Sequence, residues 1–172
     1  MAVKSPKYDL IKKEKNFEIR KYGDMILAET PTDNDFTSNG FYNLFNYITG
    51  SNSKREKISM TAPVIHHKSE NGNYSMAFVM PEEKKLESLP SPSNKQVELH
   101  KLPEKTYASI KFSGYFTKQK ATNKTNELIN WIKKNKYKAS GDPLFARYNS
   151  PFSIPAFRRN EILIEININS EN

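Results

Sequence analysis

Apolar residues along this chain change period from two to 3.6 and back, and they do so twice. Phe17 and Ile19 alternate with Glu18 and Arg20, and Met25 to Glu29 follows the turn residues Tyr22-Gly23-Asp24, which reads as a hairpin of two short strands. Phe41, Leu44, Phe45 and Ile48 then fall at i, i+3, i+4 and i+7, one face of a helix, with Ser38 or Asn39 as N-cap and Gly50 where the helix would end. Two further strands are expected at Ile58 to His66 and Tyr74 to Met80, joined by the hairpin turn Asn71-Gly72. Residues 81–94, with three prolines and scattered charges, read as a linker.

After that linker the order returns. Phe17-Glu18-Ile19-Arg20-Lys21 lines up with Val97-Glu98-Leu99-His100-Lys101, and Ala28 with Ala108, at a constant offset of 80 residues. The second copy continues with a strand from Thr106 to Phe112 and a polar helix from Thr117 to Asn135, whose apolar face is Ala121, Leu128, Trp131 and Ile132. It ends in a short strand around Leu144 to Tyr148 and a strong one from Glu161 to Ile168. The expectation is therefore a single α+β domain over residues 1–172, built from duplicated ββαββ halves at about 17–80 and 97–168. Two such halves form a curved antiparallel sheet or distorted barrel carrying two main helices.

Two segments stand apart from the periodic pattern. Lys57-Ile58-Ser59-Met60-Thr61-Ala62-Pro63-Val64 sets one methionine among small residues, so a helix or ligand can approach it closely. Phe145-Ala146-Arg147-Tyr148-Asn149-Ser150-Pro151 leads through an apolar, proline-restricted loop to Arg158-Arg159-Asn160-Glu161. Together, in this order, they resemble the SOUL, or haem-binding-protein, family, and the resemblance runs from Phe17 to Ile166. It implies the duplicated α+β fold, shared with bacterial gyrase-inhibitor-like effector-binding domains whose halves shape a ligand cleft.

The resemblance also implies a ligand. A tetrapyrrole needs apolar walls for its macrocycle and cations or solvent for its propionates. The family's hydrophobic cleft, between the first helix and the loop before the last strand, matches Phe41, Leu44, Phe45 and Ile48 on one side and Phe152, Ile154, Phe157, Arg158 and Arg159 on the other, with Met60 counted among them. The histidine proposed as axial ligand in some family members is replaced here by Lys21, so that ligation scheme is absent and no axial ligand is assigned. The expected function is non-catalytic binding of haem or a related tetrapyrrole, for transport, buffering or sensing. The alternatives are a module for other amphiphilic or aromatic small molecules, or a protein-interaction module using the same cleft.

Composition narrows the remaining classes. The chain lacks cysteine, so disulfides, thiolate metal sites and cysteine nucleophiles are excluded. Neighbouring His66 and His67 point to opposite faces of a strand and cannot easily share a metal, and no metal site is expected. No Gly-x-Ser-x-Gly, phosphate-loop or His-Glu-x-x-His pattern occurs, so no catalytic residue is assigned, although some relatives of the fold are hydrolases using tyrosine and glutamate. A formal net charge of +8 favours an anionic partner, but the lysines are dispersed and no nucleic-acid motif accompanies them. The mean hydropathy of -0.77, the lack of an 18-residue apolar run and an N-terminus without an apolar core point to a cytoplasmic protein without a transmembrane segment.

Overall fold

The computed structural model describes residues 3–33, 40–68 and 71–168. In chain order these form β1 (Tyr8–Glu14), β2 (Phe17–Tyr22), β3 (Met25–Thr32), α1 (Gly40–Ile48), β4 (Val64–Lys68), β5 (Tyr74–Val79), β6 (Glu98–Leu102), β7 (Lys105–Phe112), α2 (Lys118–Lys134), β8 (Lys138–Arg147) and β9 (Asn160–Asn167). The α+β class with two main helices agrees with the sequence pattern. The Ser38 or Asn39 cap of α1 lies outside the described residues.

The chain divides into two compact units, one of Met1–Pro6 with Asp24–Pro103 and the other of Lys7–Gly23 with Glu104–Asn172. In the first, β3 pairs antiparallel with β5 and β6, β4 pairs with β5, and α1 packs on β3 and β5. In the second the order is β1-β2-β7-β9-β8, all antiparallel, with α2 against β7, β8 and β9. The 80-residue offset acquires a structural meaning. Ile19 faces Ala108 and Lys21 faces Thr106 in one unit, while Leu99 faces Ala28 and Lys101 faces Ile26 in the other. Adding 80 to one partner and subtracting it from the other converts each pair into its counterpart. The first strand of each sequence repeat is thus paired with the second strand of the other.

That exchange corrects the expected first hairpin. Tyr22-Gly23-Asp24 links β2 to β3, but β2 pairs with β1 and β7, and β3 with β5 and β6. β1 has no counterpart among the strands read from sequence because it is a lysine-rich edge strand, largely exposed on both faces, and so shows no alternation. The strand expected from Ile58 begins only at Val64, and the one expected from Leu144 begins at Lys138, with a register shift between Ser140 and Leu144 that breaks its period.

α2 is the element read most closely from sequence. Thr117 caps it, its side chain accepting the Lys120 N–H at 3.1 Å, and Ala121, Leu128, Trp131 and Ile132 are its buried residues. They pack with Ile19, Ala108, Ile110, Ile162, Ile164 and Ile166 in one continuous core. Leu128 is fully buried there, so Leu128→Ala is expected to cost about 2–5 kcal/mol. Trp131, the chain's one tryptophan, sits in the same core and makes its fluorescence the readout of urea unfolding.

Candidate functional site

α1 presents two chemically different faces. Leu44, Tyr47 and Ile48 are buried with Ala28, Met76 and Phe78, and the Tyr47 hydroxyl donates to the Pro90 carbonyl at 2.9 Å. Burial and the nearby Glu56 carboxylate push Tyr47 up to about 12, so it stays neutral and remains a donor. On the outer face Phe41 and Phe45 stack at 5.8 Å and 15°, and Phe41 meets Phe78 edge-on at 5.5 Å. Phe41 is 38% exposed and Phe45 42%. Two stacked rings therefore offer an apolar surface to solvent on a bed that cannot yield. Met60 is half-buried against the same core.

The Lys57–Val64 motif is a clamp for that helix. Ile58 N–H donates to the last α1 carbonyl, Ile48 O, at 2.8 Å; the Thr61 hydroxyl donates to Val79 O at 2.6 Å; Ala62 N–H donates to Lys4 O at 2.9 Å. Asn52 completes the connection, its amide donating to Tyr47 O and Glu56 O. The small residues are there because three backbone segments converge on them.

The closing loop lies in the other unit. Phe152 and Phe157 are 96% and 80% exposed, and Ile154 is exposed beside them. Arg158 is held inside the loop by donating to Ser153 O at 3.0 Å and Pro151 O at 2.6 Å. Arg159 turns elsewhere, covering the Tyr148 ring at 3.9 Å and pairing with Glu161 at 2.9 Å. The ten sequence-derived residues thus fall into two groups, Phe41, Leu44, Phe45, Ile48 and Met60 in one unit, and Phe152, Ile154, Phe157, Arg158 and Arg159 in the other.

A polar network escaped sequence reasoning. Arg20, 2% exposed, donates from both terminal nitrogens to the two oxygens of fully buried Glu161 at 2.6 and 2.8 Å, and its Nε donates to Glu18 at 2.6 Å. Tyr22 accepts from Arg20 at 3.2 Å, and Tyr8 stacks over the guanidinium at 4.5 Å. Burial alone would raise Glu161, but the two guanidiniums hold it below the usual carboxylate range, while burial pushes Tyr148 and Tyr107 up. A glutamate so compensated is a poor proton acceptor, and a tyrosine so raised a poor proton donor. The available signal was Glu18, Arg20 and Tyr22 at period two, with Glu161 placed just before the apolar run Ile162-Leu163-Ile164.

Two histidines converge on one carboxylate. His67 Nε2 lies 2.8 Å and His100 Nε2 3.2 Å from the two oxygens of Glu29. Burial alone would lower His67, but the hydrogen bond and charge of Glu29 outweigh it and raise the imidazole. A raised folded-state value means that the pair stabilises the protein fully below 6.5 and loses that contribution as pH rises through the folded value. In a histidine NMR titration His67 is expected to titrate above 6.5, and Glu29→Gln to bring it down. Among the described residues, no group of three or more His, Cys, Asp and Glu side chains is placed to hold a metal. Lys21 pairs with Glu104 at 3.0 Å, and both line a groove of about 730 Å³ that also includes Ile11, Lys105, Lys138 and Ile166.

Among the described residues no helix is long and apolar enough to cross a membrane. The fold is shared with the C-terminal domain of EcmrR (TM-score 0.62, 14% identity, 93% of this chain and 98% of that one) and with a hydrolase from Listeria innocua (TM-score 0.62, 10% identity, 91% and 94%). At such identities the likeness concerns architecture alone. Heme-binding protein 2 of Mus musculus is 30% identical over 159 residues, 86% of this chain and 76% of the mouse protein. The model of the SOUL heme-binding protein family matches residues 3–165, nearly the whole chain, and with the mouse relative this places the chain in the SOUL haem-binding protein family.

Proposed function

We propose that this protein is a reversible, non-catalytic binder of haem or a related tetrapyrrole, whose macrocycle lies on the outer aromatic face of α1. The observation that carries this reading is the stacked, half-exposed Phe41–Phe45 pair. A flat macrocycle gains dispersion and apolar burial on such a surface. Leu44, Tyr47 and Ile48 fix the helix beneath, and Met60 flanks the same core. The proposed seat consists of these first-unit residues; Phe152, Ile154, Phe157, Arg158 and Arg159 belong to the other unit and form no part of it.

The residues fit the porphyrin better than its iron. Lys21 is paired with Glu104, and His67 and His100 both lie against Glu29 through Nε2, so ligation by any of them would break an existing contact. Iron-free protoporphyrin is therefore expected to bind comparably to haem. The non-catalytic role is supported by Glu161, whose two oxygens are occupied by Arg20 and Arg159. Titration of the apo-protein with haem and with protoporphyrin, followed at the Soret band, tests the proposal. A saturable shift with both is expected, and its absence with both removes the reading.

A further inference from the structure

One end of the second unit joins exposed aromatic side chains to an excess of positive charge. The loop Ser113–Phe116 and the loop Pro151–Phe157 are locked together by Gly114 N–H donating to Pro155 O at 2.9 Å and the Asn160 amide donating to Gly114 O at 3.0 Å. Phe152 and Phe157 project from this joint, with Ile154 63% and Tyr115 64% exposed. Their exposure is built in. Pro151 and Pro155 restrict the backbone, Ser153 N–H donates to Ser150 O at 3.0 Å, and Arg158 ties both Pro151 O and Ser153 O from within. Segments 113–126 and 143–160 contain Lys118, Lys120, Lys124, Arg147, Arg158 and Arg159 and not one aspartate or glutamate. Of these cations, Arg159 is neutralised by Glu161 and Lys124 by Glu127. Lys120 instead bonds Ser113 O at 2.6 Å, and Arg158 lies over the Tyr115 ring at 5.3 Å.

We propose that this end of the molecule docks on an anionic lipid bilayer, with Phe152, Ile154, Phe157 and Tyr115 entering the boundary between headgroups and acyl chains and Lys118, Lys120 and Arg158 meeting the lipid phosphates. A rigid apolar tip ringed by cations matches such a surface in both polarity and charge. A net charge of +8 adds long-range attraction. The inference is independent of the ligand reading, since its assay contains no tetrapyrrole.

The test is co-sedimentation of the purified protein with phosphatidylcholine vesicles containing about one-third phosphatidylserine, at low salt. Binding is expected to fall at least about tenfold in the double variant Phe152→Ser with Phe157→Ser, which alters only exposed rings, and about fivefold in Lys118→Gln. Phe152→Trp supplies a reporter distinct from buried Trp131, and its emission is expected to shift to the blue on adding these vesicles. No sedimentation with them, equal binding to pure phosphatidylcholine, unchanged binding of the double serine variant, or an unshifted emission from the Phe152→Trp variant would each overturn the proposal. A Soret titration of the same preparation reports the tetrapyrrole reading separately.

Discussion

Arg20→Met is expected to destabilise the protein by about 3–5 kcal/mol, which for a chain of 172 residues lowers Tm by roughly 6–20 °C. The reason lies in what remains. Glu161 is fully buried and would keep only Arg159, itself one-third exposed, to balance a charge removed from water. The loss measures an uncompensated carboxylate more than the strength of the pair. Replacing both partners, Arg20→Met with Glu161→Leu, is accordingly expected to recover most of the stability, because the fully buried carboxylate is then gone and the charges that lose a partner, Glu18 and Arg159, both reach solvent. The pH dependence separates this account from simple packing loss. In the native protein Glu161 is depressed below 4.5, so its contribution is fully present above that value and is lost as pH falls through the lower folded-state value. Thermal melts from pH 7 to pH 3 should show this acid limb in the native chain, and a flatter one in the double variant. Equal acid limbs in the two proteins would refute the assignment.

Phe41→Ala with Phe45→Ala is expected to weaken tetrapyrrole binding about thirtyfold or more, while leaving the fold intact. Each ring supplies apolar contact worth about 1–2 kcal/mol to a flat ligand laid against it, at roughly 25 cal/mol per Å² with an aromatic increment. Both are substantially exposed in the free protein, so their loss costs folding far less than it costs binding. Leu44→Ala provides the contrast. Leu44 has no exposed surface, and its truncation should lower Tm while touching the ligand only through helix position. Soret titrations of the three proteins decide between a ligand seat and a purely structural aromatic stack. If the double variant binds as the native chain does, α1 is not the seat.

The ligand reading and the network reading differ in how they could be found from sequence. Phe41 and Phe45 are visible at once, because their spacing from Leu44 and Ile48 defines a helical face, but spacing alone does not say that the outer pair is exposed and the inner pair buried. Arg20 and Glu161 lie 141 positions apart and meet across β7, so no local pattern could join them. A buried arginine also violates the ordinary expectation for that residue, which is why it reads as solvent-facing until its partner is known. The Lys57–Val64 motif stands between these cases. It marks the family from sequence, whereas its physical task, tying Ile48, Val79 and Lys4 together, emerges only when three distant segments converge.

What the sequence determined by itself was everything written in local period and repetition: the amphipathic α2 with its buried face, the apolar face of α1, the alternation in β5 and β9, the duplication at 80 residues and the family membership carried by two motifs. Such features depend on contacts within a few residues, where 3.6 and 2.0 periodicities leave a direct trace. Tertiary structure alone decided that the repeats exchange their first strands, that the lysine-rich segment Tyr8–Glu14 forms an edge strand, and that Glu161 is held by Arg20 rather than facing water. The reason is physical. Strand partners are chosen by global burial and hydrogen-bond satisfaction among many locally equivalent candidates, and the identity of the winner is not encoded in any one segment.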